Sequence, residues 1–396
     1  MMRTLKLFKV IIINIALLFV ASCALKVSTY VETAKNNNTD TPTPTSTTTL
    51  NFYMAGIYVD GSPSYWINDQ RISCDNIPGS YLPNPPMLAV DSTGDMFMIF
   101  DDAESSNAGI CINRTYNELL PPSGEVGNSV STLNGIAEEN GEIYIVGSVY
   151  RSQIDCVGTF HSDMNFGCAA IWKSSTSYTA EYVPIDTGVL PNVDYVYPTS
   201  IYLDNGHVYI SANIYNHNGS WDVGYWLDGV FYKQTSLFSG IPNISSTSIY
   251  LYQIKTYNGS VYESGLYTTT DKKMHFFYIK DGVISIVDNV PNTTSGTITG
   301  LNIVNDVVYM AINTYNASWI PSSFLIIGTQ VTTLLPKDST YYTYAYGLNV
   351  DSNGVAYVVG SITSKTDYSS LGAIWRTDAD PVFYNGVSYF SSLILK

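Results

Sequence analysis

Four histidines, His161, His207, His217 and His275, are the side chains of this sequence best suited to moving protons near neutral pH. No two stand at a metal-ligand spacing, and no serine occupies a Gly-x-Ser-x-Gly elbow that would supply a nucleophile. His207 follows an Asp-Asn-Gly turn and His275 precedes the run FFYIK, places where a histidine is more often structural than catalytic. The acidic stretches Asp91-Ser-Thr-Gly-Asp95 and Asp351-Ser-Asn-Gly354 lack the alternating oxygen ligands and closing glutamate of a calcium loop, and read as hairpin turns. Glycoside hydrolysis needs two carboxyl groups about 5–10 Å apart. The acids here are dispersed through loops, and spacing selects no pair. The sequence names no catalytic residue, no metal site and no cofactor.

Cysteine supplies the other chemistry. Cys23 ends a leader with a basic start, Met1 to Lys9, and an apolar run from Val10 to Ala21 broken by Asn14. That run is short for a transmembrane helix of about 20 residues and fits a signal-peptide core. Val20-Ala21-Ser22-Cys23 resembles the lipobox of bacterial lipoproteins. The resemblance implies cleavage before Cys23, diacylation of its thiol and anchoring in the bacterial cell envelope, since two or three acyl chains hold a membrane stably. The same resemblance implies the outer membrane, because Ala24 stands where an aspartate would direct retention in the inner one. Residues 1–22 are thus expected to be a signal peptide. Residues 23–50, with the stretch NNNTDTPTPTSTTTL, are expected to be the lipidated cysteine and a flexible Thr/Pro/Asn-rich tether.

Beyond residue 50 the composition favours strands. The whole chain holds 33 tyrosines and only 13% charged residues, and aromatic and β-branched side chains suit a pleated, half-buried surface. The net charge of −15 becomes more negative once the leader's Arg3, Lys6 and Lys9 are removed. Such a surface repels phosphate backbones, which argues against a nucleic-acid partner.

One strand signature, an aromatic residue followed by apolar residues and a small one, recurs seven times: FYMAG, MFMIF, IYIVG, VYISA, VYESG, VYMAI and AYVVG. Its aromatic members are Tyr53, Phe97, Tyr144, Tyr209, Tyr262, Tyr309 and Tyr357, at intervals of 44 to 65 residues. A strand and tight turn precede most copies, as in IAEENGE and IYLDNGH. A variable loop and a second aromatic strand follow, as in AAIWKSS and GAIWRT, then a closing strand such as VFYKQTSLF. A period near 50 with four strand-length segments predicts an all-β, roughly seven-bladed β-propeller over residues 51–396, with strands A to D in each blade. MLAVDSTGDMFMIF and GLNVDSNGVAYVVGS resemble the short propeller repeats of secreted bacterial proteins. Ring closure has two solutions: TSTTTL as a poor A strand of blade 1, or the C-terminal VSYFSSLILK paired with FYMAGIYV.

Four further cysteines, an even number in an exported chain, point to disulfides. There is no Cys-x-x-Cys for zinc. Repeat position favours Cys156–Cys168 across the long B–C loop of blade 3, leaving Cys74 and Cys111 to join blades 1 and 2.

In an antiparallel meander all B–C loops leave one face. They carry Tyr150, Arg151 and His161, then Tyr215, His217 and Trp221, then Tyr267, Tyr315, Trp319, Lys365 and Tyr368. Aromatics among short polar residues suit glycan or protein recognition. The first expectation is a non-enzymatic binding or scaffold module acting through this face on an unknown protein or glycan. The alternatives are a glycan-active propeller enzyme, which acids, His and Tyr gathered at the central channel would support, and a component of an envelope assembly complex. Fold alone does not separate them.

Overall fold

Every copy of the repeated signature forms the second strand of a four-stranded antiparallel sheet, and seven such sheets form the blades of a β-propeller. The computed structural model describes residues 50–396, apart from 78–84, 102–107, 123–128, 155, 157–159, 191–192 and 292–293. The expected signal peptide, Cys23 and the tether through residue 49 lie outside the described residues.

Blades 2 to 7 each run A, B, C, D along the chain. Blade 4 shows the pattern: Val193–Asp204, His207–Asn216, Trp221–Leu227 and Val230–Lys233. The A–B hairpins turn at Asn140-Gly141, Asn205-Gly206 and Asn258-Gly259, where both residues have positive φ, the geometry that keeps right-twisted strands in register. In the two acidic turns the carboxylates serve the backbone. Asp91 accepts from the N–H groups of Thr93 and Asp95, and Asp351 from those of Asn353 and Val355. One expected strand is shorter than its sequence implied. In VFYKQTSLF only Val230–Lys233 is extended, and Thr235–Gly240 coils into 3₁₀ turns that bury Phe238 against Phe277.

The ring closes by the second of the two solutions. The last strand, Val387–Leu395, pairs with the first, Phe52–Tyr58, and becomes the A strand of blade 1. Closure removes the open edges that a seven-sheet ring would otherwise expose.

The core lies between blades. Seven buried apolar clusters correspond to the seven seams, for example Val149, Ala170 and Trp172 with Ile99 and Ile110 between blades 3 and 2. The tryptophans of AAIWKSS, GYWLDG and GAIWRT add a directional lock. Trp172, Trp226 and Trp375 donate their indole N–H to the carbonyls of Leu120, Pro184 and Leu335, each on the chain leaving the previous blade's D strand. The small residue that closes the signature also has a steric reason. A Cβ on Gly147 or Gly360 would collide with the A-strand carbonyl of Thr132 or Tyr344.

Both disulfides form as repeat position indicates. Cys156–Cys168 ties the long loop of blade 3, and Cys74–Cys111 joins blades 1 and 2.

Candidate functional site

A-strand residues from all seven blades line a central channel of about 450 Å³. The A strands run from the B–C-loop face toward the A–B turns. Residues early in each A strand therefore surround the mouth on the B–C face, and later ones line the depth.

At this mouth blade 4 assembles an aromatic group. Tyr195 and Tyr197 alternate on one strand and stack, with ring centroids 5.9 Å apart and planes 18° from parallel. Tyr215 lies opposite Tyr195 in the ladder, at 6.3 Å between rings. Trp221 joins Tyr197 at 5.8 Å, Tyr215 at 5.2 Å and Tyr250 of blade 5 at 5.4 Å. Tyr197 and Tyr150 stay exposed, at 41% and 46% of their surfaces. Burial raises the phenols of Tyr195 and Tyr197, with negative charge on neighbouring groups adding to the shift, so both are neutral donors at ordinary pH. Stacked rings with hydroxyl rims offer flat apolar faces and hydrogen bonds together, the combination a pyranose ring requires.

Beside these rings a carboxylate meets a histidine. Asp194, next in sequence to Tyr195, is only 6% exposed and pairs with Nδ1 of His217. His217 sits in the tight B–C turn between Asn216 and Ser220, where Ser220 N–H donates to Asn218 Oδ1 and Gly219 N–H to the Asn216 carbonyl. The buried carboxylate at Nδ1 holds the imidazole ring in place within this turn. A second carboxylate, Asp222, is consumed structurally. It accepts from Asn216 Nδ2 at 3.0 Å and Thr235 Oγ1 at 2.9 Å, and Lys233 Nζ lies 2.8 Å away.

The other expected face residues divide. Tyr315 and Trp319 approach each other at 6.2 Å, and Trp319 and Tyr368 project at 73% and 61% exposure. Lys365 donates to the Ser339 carbonyl at 2.7 Å and lies over the Tyr342 ring. Arg151 turns onto the Tyr182 ring, at 4.7 Å from its centroid. His161 lies on the C strand Phe160–Lys173, and its side chain is outside the described residues. Tyr267 corrects the expectation of an exposed ring: it is 3% exposed and stacked on His275 at 4.9 Å, because its position in the B strand of blade 5 faces the seam.

Sequence reasoning missed Asp194, Tyr195, Tyr197 and Tyr250. Blade 4's A strand was read only from IYLDNGH, whereas it begins at Val193, and the alternation in VDYVYPTS was the available signal.

No protein-family model and no curated protein matches the chain by sequence. Solved structures match by fold. A Mycobacterium tuberculosis puromycin-hydrolyzing peptidase aligns over 84% of this chain and 53% of its own, at 7% identity and a TM-score of 0.51. The chain thus spans about half the length of that peptidase. The β-propeller domain of the Trilobed protease from Pyrococcus furiosus aligns over 85% and 95%, at 11% identity and a TM-score of 0.46. The Hadza microbial sialidase Hz136 aligns over 84% and 73%, at 6% identity and a TM-score of 0.44. At these identities the likeness shows the fold. One expectation is nevertheless corrected. The peptidase carries this propeller form, so the fold gives no ground for preferring a non-enzymatic binding or scaffold module over the enzymatic alternative.

Proposed function

We propose that the protein is a glycan-active enzyme, a hydrolase or lyase, that takes its substrate at the aromatic mouth of the propeller. The Asp194–His217 pair beside the Tyr195, Tyr197, Tyr215 and Trp221 rings carries this reading. It gathers an acid, a histidine and tyrosines where the channel opens. Trp221 and Tyr197 hold the sugar by stacking. His217 takes a proton, from the attacking water in hydrolysis or from a ring carbon in elimination, and returns it to the departing glycosidic oxygen, while Asp194 holds the ring and stabilises the imidazolium. With Asp194 bound to His217 and Asp222 bound within its own blade, a proton-shuttling imidazole fits the site better than a pair of carboxylates. The address proposed with it is a lipid-anchored position in the bacterial cell envelope, held by Cys23.

The test is a panel of neutral and acidic polysaccharides, followed by reducing ends and by the ultraviolet absorbance of unsaturated products, which separates hydrolase from lyase. His217→Ala should lower kcat by about 10²–10⁴-fold. Asp194→Asn should do so with little change in KM, while Trp221→Ala should act mainly on KM. No product from any glycan, or full activity in His217→Ala, sinks the reading.

A further inference from the structure

The seven A-strand positions opposite the signature aromatics are equivalent around the channel. In blades 1 to 3 they hold Ile394, Ala89 and Ala137. In blades 4 to 7 they hold Tyr202, Lys255, Asn302 and Asn349. One arc of the ring is thus apolar, and the other is polar with a single cation. Among the described residues, Lys255 is the only lysine or arginine lining the channel.

Its surroundings leave that charge unanswered. Among the described residues no carboxylate lies within ion-pair distance of Lys255 Nζ, whose one recorded partner is the Tyr202 ring face, 5.9 Å to its centroid. Glu138 is the only acid among the described residues that line the channel, and its Oε1 accepts from Gly141 N–H at 2.8 Å in the A–B turn. The asparagines bond along the ring, Asn302 Nδ2 to Asn349 Oδ1 at 3.1 Å and Asn349 Nδ2 to the Leu393 carbonyl at 3.4 Å, and supply no charge. Partial desolvation among the A strands depresses the ammonium to about 8, with no neighbouring charge to offset it.

We propose that Lys255 is an anion subsite in the depth of the channel that receives an acidic substituent, a carboxylate or a sulfate, of the bound glycan. The anion completes the ion pair that the chain itself omits. Lys255 lies five residues beyond Tyr250, about 16 Å along an extended strand, so the acidic sugar is several units from the ring stacked at the mouth. Assigning the ligand as a glycan rests on the proposed function; anion binding at Lys255 does not.

The experiment uses the full chain with its lysines ¹³C-methylated, the Lys255 resonance being identified by its loss in Lys255→Arg. Glucuronate, glucose and inorganic sulfate are titrated in turn. Saturable movement of the Lys255 signal with glucuronate or sulfate, and none with glucose, is the expected result. Comparing the two anions separates a uronic acid from a sulfated sugar. By calorimetry on unmethylated protein, Lys255→Gln should weaken the binding anion about tenfold or more, and Lys255→Arg should retain it. Lack of movement with both anions, or equal movement with glucose, overturns the proposal even if glycans are cleaved. Anion binding without cleavage of any glycan leaves the subsite standing and removes the enzymatic reading instead.

Discussion

Asn51 and Lys396, which flank the first and last strands, bond to each other through both backbone groups: Asn51 N–H donates to the Lys396 carbonyl at 2.7 Å, and Lys396 N–H to the Asn51 carbonyl at 3.1 Å. Seven register pairs from Phe52–Leu395 to Tyr58–Val387 continue the ladder between them. The ends of a 346-residue circuit are therefore neighbours in one sheet, and the stability of every seam depends on that sheet holding.

Phe390 tests this dependence. It is fully buried and meets Trp66 and Tyr384 edge-on, each at 5.1 Å. Phe390→Ala should cost about 3–5 kcal/mol in urea denaturation. Deletion from Val387 onward should do more, replacing one cooperative transition with a broad one, because it exposes the B strand of blade 1 as an open edge. A deletion variant that unfolds as sharply as the intact chain would show that the clasp is dispensable.

The two disulfides should differ in worth. Cys156–Cys168 closes a loop with a separation of 12 residues and Cys74–Cys111 one of 37. Loop-closure entropy gives about 3 and about 4 kcal/mol respectively. Paired serine substitutions should therefore destabilise more at Cys74/Cys111, where a seam between blades is also loosened, than at Cys156/Cys168. Equal losses in denaturant midpoint would contradict this order.

Glu263 should make stability pH-dependent. It is 1% exposed, and burial pushes its carboxyl up to about 8, a rise that the neighbouring Gln234 side chain tempers. The folded form keeps the proton while the unfolded chain, with an ordinary glutamate, loses it near 4.5. Between those values the native state binds more protons, so stability falls as pH rises from about 4.5 to 8 and levels off above. Glu263→Gln removes this slope. Its advantage over wild type should grow with pH to about 4–5 kcal/mol at pH 8. Parallel stability curves for the two proteins across that range would refute the assignment.

How much of this was legible follows from how far apart the interacting residues are. The B strands were readable because the short signature around Tyr144 or Tyr357 lies within contiguous residues and recurs seven times, and the disulfides because repeat position placed their cysteines. Closure was not, since VSYFSSLILK had two acceptable partners and only the finished ring selects one. The His217–Asp194 pair was also hidden. Its members lie 23 positions apart, and each alone has a bland structural explanation. Lys255 is unremarkable in sequence; only the ring shows that six equivalent positions carry no charge.

The proposed anchor makes the last prediction. If Cys23 carries the lipid, wild-type protein should fractionate with membranes and Cys23→Ala should be released, because a leader core from Val10 to Ala21 is too short to hold the chain by itself. The propeller would then stand beyond a polar tether of roughly 27 residues, whose random-coil span is about 30 Å. Protease added to intact cells reads the side. Degradation of the wild type places the aromatic mouth on extracellular glycans, and protection places it on glycans of the periplasm. Membrane association that survives in Cys23→Ala would remove the anchor, leaving the propeller to be explained as a released enzyme or one held by a partner.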